Sequence, residues 1–113
     1  MRVFGFTALI VAGLLVLAAV PAYAAEEVTV QLVARDGKFF PSELVVPQGL
    51  KIRIEIRNDG KDPVEFESTE LRKEKVLAPG SKSVVVIVAQ QPGSYKFFDE
   101  FHQATGQGTL VVK

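Results

Sequence analysis

Lys51-Ile52-Arg53-Ile54-Glu55-Ile56-Arg57-Asn58 is the stretch that decides the fold class. Its isoleucines stand two apart and alternate with charged side chains, so an extended strand carries every Ile on one face and every charge on the other. Such a strand has one face in a core and one in water. Towards the N-terminus, Val28, Val30 and Leu32 alternate in the same way with Thr29 and Gln31, and Leu44 to Val46 reads as a further short strand. Towards the C-terminus, Val64 and Phe66 alternate with Glu65 and Glu67. Val84 to Val88 is an unbroken β-branched run, and Tyr95 to Phe98 and Leu110 to Val112 complete the set. Turn residues separate these runs at short intervals: Asp36-Gly37, Pro47-Gln48-Gly49, Asn58-Asp59-Gly60, Pro79-Gly80, Pro92-Gly93, and Gly106 with Gly108. The pattern predicts an all-β, Greek-key β-sandwich of seven to eight strands in two aligned sheets. Thr69 to Glu74 is the one stretch suited to a helical turn, and it is too short to stand as a helix.

The chain has 113 residues with 13 basic and 13 acidic side chains. That length fits one small domain and excludes a multidomain enzyme, and the even charge gives no footing for nucleic acid. Residues 1–24 differ in kind from the rest: they hold Arg2 as their only charge, an apolar run from Val3 to Val20, and small residues at Ala22 and Ala24. This is the pattern of a signal peptide, with cleavage expected after Ala24 and a signal helix preceding the domain. The alternative is an uncleaved anchor, since the run nearly suffices to span a bilayer. Either way the domain, residues 25–113, is expected outside the cytoplasm, in the periplasm, with no membrane insertion of its own once the leader is cut. It contains no Cys, and Met1 is the only Met of the chain. Thiol catalysis, disulfides and thiolate-bound electron-transfer copper are therefore excluded.

Two clusters carry candidate chemistry. In Asp62-Pro63-Val64-Glu65-Phe66-Glu67-Ser68 the strand period puts Glu65 and Glu67 on one face. Their mutual repulsion would be relieved by a bound cation or a basic neighbour, although the same pair would also serve as an ordinary solvated strand face. In Gly93-Ser94-Tyr95-Lys96-Phe97-Phe98-Asp99-Glu100-Phe101-His102 a strand ends in two acids and the only His. Asp99 shares parity with Tyr95 and Phe97, so it starts inward, where a carboxylate needs compensation. Glu100 and His102 project together if the strand continues, or meet the first cluster if it turns. His102 is open to two readings, a hydrogen-bonded surface residue or a metal ligand.

These residues carry a family resemblance that covers the whole of residues 25–113. Phe39-Phe40-Pro41, Leu44-Val45-Val46-Pro47-Gln48-Gly49, the Ile52 to Asn58 strand and Pro92-Gly93-Ser94-Tyr95 follow one another as in the cupredoxin-like proteins. Glu65 to Ser68, Arg72 to Val76 and Phe97 to His102 narrow the resemblance to the EfeO-type, iron-uptake-associated cupredoxin-like proteins of bacterial periplasms. Blue-copper members end the corresponding strand in Cys-x-x-His followed by Met. Here Asp99 stands where the Cys would be, His102 matches the His, Gln107 stands near the Met, and the first His is replaced at about Glu65. The resemblance therefore implies a metal site without the blue type 1 centre. Its ligands would be Glu65, Glu67, Glu100 and His102, with Asp99 as a fifth and Glu74 as an adjacent acid. Hard oxygen donors with one imidazole suit an iron ion or Cu(II).

The function so implied is a periplasmic metal-binding protein of iron uptake, handing metal or electrons to a periplasmic or membrane transport partner. Two alternatives remain at this level: a ferroxidase that depends on a partner's electron acceptor, and a metal-free interaction module on the same scaffold. Arg72, Lys73 and Lys75 read either as a solvated loop or as a patch that docks an acidic partner or balances the acids.

Overall fold

The computed structural model describes residues 26–113, together with Gly5 and residues 10–15. Most of the expected signal helix and the cut after Ala24 lie outside the described residues, and the described residues 10–15 are not helical. Among the described residues no helix is long and apolar enough to cross a membrane.

The deciding stretch is β4 (Lys51–Asn58), and its isoleucines are at most 1% exposed. It lies inside a four-stranded sheet, between β1 (Glu27–Arg35), which runs parallel to it, and β7 (Lys82–Ile87), which runs antiparallel; β2 (Lys38–Phe40) closes the sheet beyond β1. The register pairs Val28, Val30 and Leu32 with Ile52, Ile54 and Ile56, so alternating apolar positions of two strands build one inner face. The second sheet has the order β3 (Glu43–Val46), β9 (Gln107–Val112), β8 (Gly93–Asp99), β5 (Val64–Ser68), β6 (Lys73–Leu77). Between the sheets Phe39 of β2 meets Phe66 of β5 and Phe97 of β8. The Phe66 and Phe97 rings stack at 5.1 Å, with Phe39 edge-on at 5.3 Å from Phe97 and 6.1 Å from Phe66. Each such pair adds about 0.5–1.5 kcal/mol beyond the area it buries.

Among the described residues there are nine strands rather than seven or eight. The short β2 escapes periodicity because only Phe39 of its three residues points inward. The other unforeseen strand, β6, corrects the expectation of a helical turn over Thr69 to Glu74: the chain turns at Thr69–Arg72, with Arg72 N–H donating to Thr69 O at 3.3 Å, and is extended from Lys73 onward. As an edge strand β6 needs only one apolar anchor, Leu77, and cross-strand pairing with β5 overrides its helix-tolerant composition. β7 ends at Ile87, and Val88, expected within it, is exposed.

Among the described residues three polar side chains are buried, and all are satisfied. Asn58 donates to the carbonyls of Asp62 and Leu77 and accepts from Gly60 N–H, tying the end of β4 to the loop that follows it and to the end of β6. Ser68 Oγ donates to Lys96 O at 2.6 Å and accepts from Leu71 N–H. The third, Asp99, belongs to the site described below.

Gly108 lies directly opposite Phe97 in the β8–β9 ladder, and a Cβ there would overlap the Phe97 ring. Gly108→Ala is expected to destabilise the protein by about 1–3 kcal/mol through overpacking. A lower urea midpoint at unchanged m-value is the expected result; an unchanged midpoint would mean that the ring has room to shift.

Candidate metal centre

β5 is read on both faces. Val64, Phe66 and Ser68 point into the core, and Glu65 and Glu67 point outward, half-buried on the surface of the five-stranded sheet. The antiparallel register sets Glu74 of β6 directly across from Glu67, and Val76 across from Glu65. Carboxylate oxygens of Glu65, Glu67 and Glu74 come within 4.8 Å of one another. On the other side, β8 ends at Asp99 and the chain enters a single 3-10 turn, Glu100–His102, which turns the Glu100 carboxyl onto Glu67.

Like charges directly opposite one another destabilise a sheet. Partial burial, the hydrogen bond to Glu100, and the charges of Glu100, Glu65 and Glu74, in that order, hold the Glu67 carboxyl above its ordinary value of 4.5. Among the described residues no Lys or Arg nitrogen lies within 4.0 Å of these four carboxylates; the cation-containing pairs are Arg35–Asp36, Arg53–Glu55 and Arg57–Asp59, elsewhere on the molecule. Lys73 and Lys75, flanking Glu74, have the opposite parity and pair with Ser68 and Phe66. The arrangement is an all-oxygen donor set with unrelieved negative charge, suited to a hard cation.

Asp99 and His102 are held apart from this group and are joined to each other. Asp99 points inward, and its side chain is 3% exposed. Its Oδ1 accepts the backbone N–H of Glu65 and of Phe101, each at 3.0 Å, and its Oδ2 lies 2.6 Å from His102 Nδ1. The compensation that an inward carboxylate demands thus comes from two amides and an imidazole. Of the five residues singled out in the sequence, Glu65, Glu67 and Glu100 meet on the outer sheet face, while Asp99 and His102 form a separate pair. Gln107 bonds to Gln103 O at 2.6 Å. Glu74, read in the sequence as an adjacent acid, is a full member of the cluster; recognising β6 as a strand is the signal that would have placed it there.

The Glu67 shift fixes the sign of a pH effect. A carboxyl raised in the folded state binds more protons folded than unfolded, so it favours the fold in acid, and that contribution is lost as pH rises from about 4.5 through the raised value. Glu67→Gln should therefore gain stability relative to wild type across that interval and hold the gain at neutral pH. Denaturant midpoints measured from pH 4 to 7 test this, and a difference that does not change with pH would show that Glu67 ionises as it does in the unfolded chain.

A family model for a cupredoxin-like domain matches residues 6–112. The Uncharacterized protein RP394 of Rickettsia prowazekii (strain Madrid E) is 37% identical over 83 residues, which are 74% of this chain and 66% of that protein, just under two thirds of its length. Among solved structures, the metal binding domain of the Streptococcus pneumoniae D39 Cu(I) exporting P-type ATPase CopA with Cu(I) aligns at a TM-score of 0.69 and 15% identity, covering 77% of this chain and 86% of that one. Auracyanin A, a "blue" copper protein from Chloroflexus aurantiacus, aligns at a TM-score of 0.62 and 18% identity, covering 78% and 100%. At these identities the structural likeness establishes the fold.

Proposed function

The chain belongs to the cupredoxin-like domain family, and on that footing we propose that it is a periplasmic metal-binding protein of bacterial iron uptake. It holds an iron ion or Cu(II) on the outer face of its five-stranded sheet and hands metal or electrons to a transport partner. The observation that carries this reading is the convergence of Glu65, Glu67 and Glu74 within 4.8 Å, with Glu100 against Glu67 and, among the described residues, no Lys or Arg paired with them. Removing the mutual repulsion of these acids is a driving force for cation binding that a solvated, ion-paired strand face lacks. Oxygen donors without a thiolate favour iron or Cu(II) over Cu(I), and a blue type 1 centre is not formed, since the chain has no Cys. The location outside the cytoplasm rests on the signal-peptide pattern of residues 1–24. The copper-binding relatives support a metal ion as ligand, and the iron-uptake role rests on the three motifs resembling the EfeO-type group.

A thermal melt of metal-free protein, titrated anaerobically with Fe(II) and separately with Cu(II), tests the proposal. A hundredfold excess over Kd adds about 2.7 kcal/mol, a rise on the order of 10 °C for a domain of this size. Glu67→Gln and Glu74→Gln should each remove most of that rise. No rise with either ion would replace the reading with a metal-free interaction module. Steady oxygen uptake with Fe(II), as against a single stoichiometric oxidation, would point to a ferroxidase.

A further inference from the structure

Of the four strands at sheet edges, three are short or charged. β2 has three residues and carries Lys38, β3 has four and carries Glu43, and β6 carries Lys73, Glu74 and Lys75 in a row. Such features keep an edge from pairing with another chain. β7, the fourth, lacks them. It has six residues, Lys82–Ile87, and from Ser83 to Tyr95 the sequence has no charged side chain.

The hydrogen bonds show which of its backbone groups are free. Lys51 N–H donates to Glu26 O at 3.1 Å, on the β1 side of β4, and Asn58 N–H donates to Ser81 O at 2.9 Å, on the β7 side. Bonding alternates along a strand, so Ile52, Ile54 and Ile56 also bond towards β7, where the register gives them Ile87, Val85 and Ser83. The N–H and C=O groups of the residues between, Lys82, Val84 and Val86, therefore point to the outer edge, and among the described residues no strand lies there. Their side chains stand on the outer face: Val84 and Val86 are half-buried, and Val88, which follows, is 73% exposed.

We infer that β7 is a dimer interface, which pairs with β7 of a second copy of this chain. The strand fits itself. In antiparallel pairing about Val85, Val84 of each copy meets Val86 of the other, and the free N–H and C=O groups of both residues are satisfied. β-branched side chains then face one another across the join, and the two Lys82 lie at opposite ends, each beside Val88 of the other copy. The contact is isologous and closes after two copies. β6 neighbours β7 in the opposite sheet and approaches its own copy under the same rotation; its row of alternating sign sets no block of like charge against itself. The two four-stranded sheets become one of eight strands, within the usual range. An axis normal to the sheet keeps equivalent faces on one side, so the Glu65, Glu67 and Glu74 clusters of both copies share one surface of the dimer. The pairing does not require those clusters to bind metal. A single strand pair is a small interface, so the expected Kd is on the order of 100 μM.

Sedimentation equilibrium of the purified protein, from micromolar to millimolar, reads the association, and amide hydrogen exchange at the two ends of that range locates it. A monomer–dimer equilibrium is expected. The Val84 and Val86 amides should exchange freely in dilute protein and slow as the dimer fills, while those of Val85 and Ile87 stay protected throughout. Val86→Lys should raise the dissociation constant about tenfold or more by placing a cation on the edge; should that variant fail to fold, the concentration dependence of the wild-type amides decides. A protein that is monomeric at millimolar concentration, or a dimer whose Val84 and Val86 amides stay fast, would overturn the inference. Slow exchange of these two amides in dilute monomer would overturn it as well, since the chain itself would then cover the edge.

Discussion

A buried carboxylate satisfied by three donors organises one end of this sandwich. Asp99, at the end of β8, draws its donors from two other segments of the chain: the amide of Glu65 on β5, and the 3-10 turn, which supplies the amide of Phe101 and the His102 ring. An uncompensated carboxylate in that position would cost several kcal/mol, so the three segments are bound to one another by the need to satisfy it. The β5–β8 ladder has only two residue pairs, Phe66 with Asp99 and Glu67 with Phe98. The Glu65 N–H to Asp99 bond extends that ladder by one step, using a side chain where a backbone carbonyl would ordinarily serve.

The charges of the molecule are arranged very differently on its two outer surfaces. On the four-stranded sheet, Glu55 is held below its ordinary value first by its hydrogen bond from Gln31 and further by Arg53, and Asp59 chiefly by its bond from Arg57. Those acids are partnered. On the five-stranded sheet, Glu67 is pushed the other way, by partial burial and by its acidic neighbours. Among the described residues, a carboxyl raised by its acidic neighbours stands where β5, β6 and the turn after β8 converge.

The sandwich was legible because its core strands alternate cleanly. Ile52, Ile54 and Ile56 are buried as their spacing requires, and the parity of Tyr95, Phe97 and Asp99 foretold an inward acid in need of partners. What those partners were could not be read, because two of them are backbone amides and amides leave no trace in a sequence. The edge strand β6 was hidden for a different reason. Lys73-Glu74-Lys75-Val76-Leu77 has neither strict alternation nor strong β-propensity, and its conformation comes from pairing with β5, a contact between distant residues. Missing β6 left Glu74 beside the cluster rather than in it. The division of Asp99 and His102 from the glutamates likewise depends on the 3-10 turn, in which Glu100 is brought to Glu67 and His102 to Asp99 although they stand only two residues apart.

β5 serves two surfaces with alternate residues, and this restricts how the gene can vary. Adding or removing one residue within Val64–Ser68 would reverse the phase of everything beyond the change, sending carboxylates towards the Phe39–Phe97 core and aromatic rings towards water. Length changes on this strand are therefore closed to neutral drift, because any one of them disrupts the interior and the acidic surface together. Substitution has more freedom, since a change at Glu65 or Glu67 can alter the surface while leaving the interior in place. Descendants of this chain can thus diverge in the charge of that surface by point replacement along a strand of unchanging length.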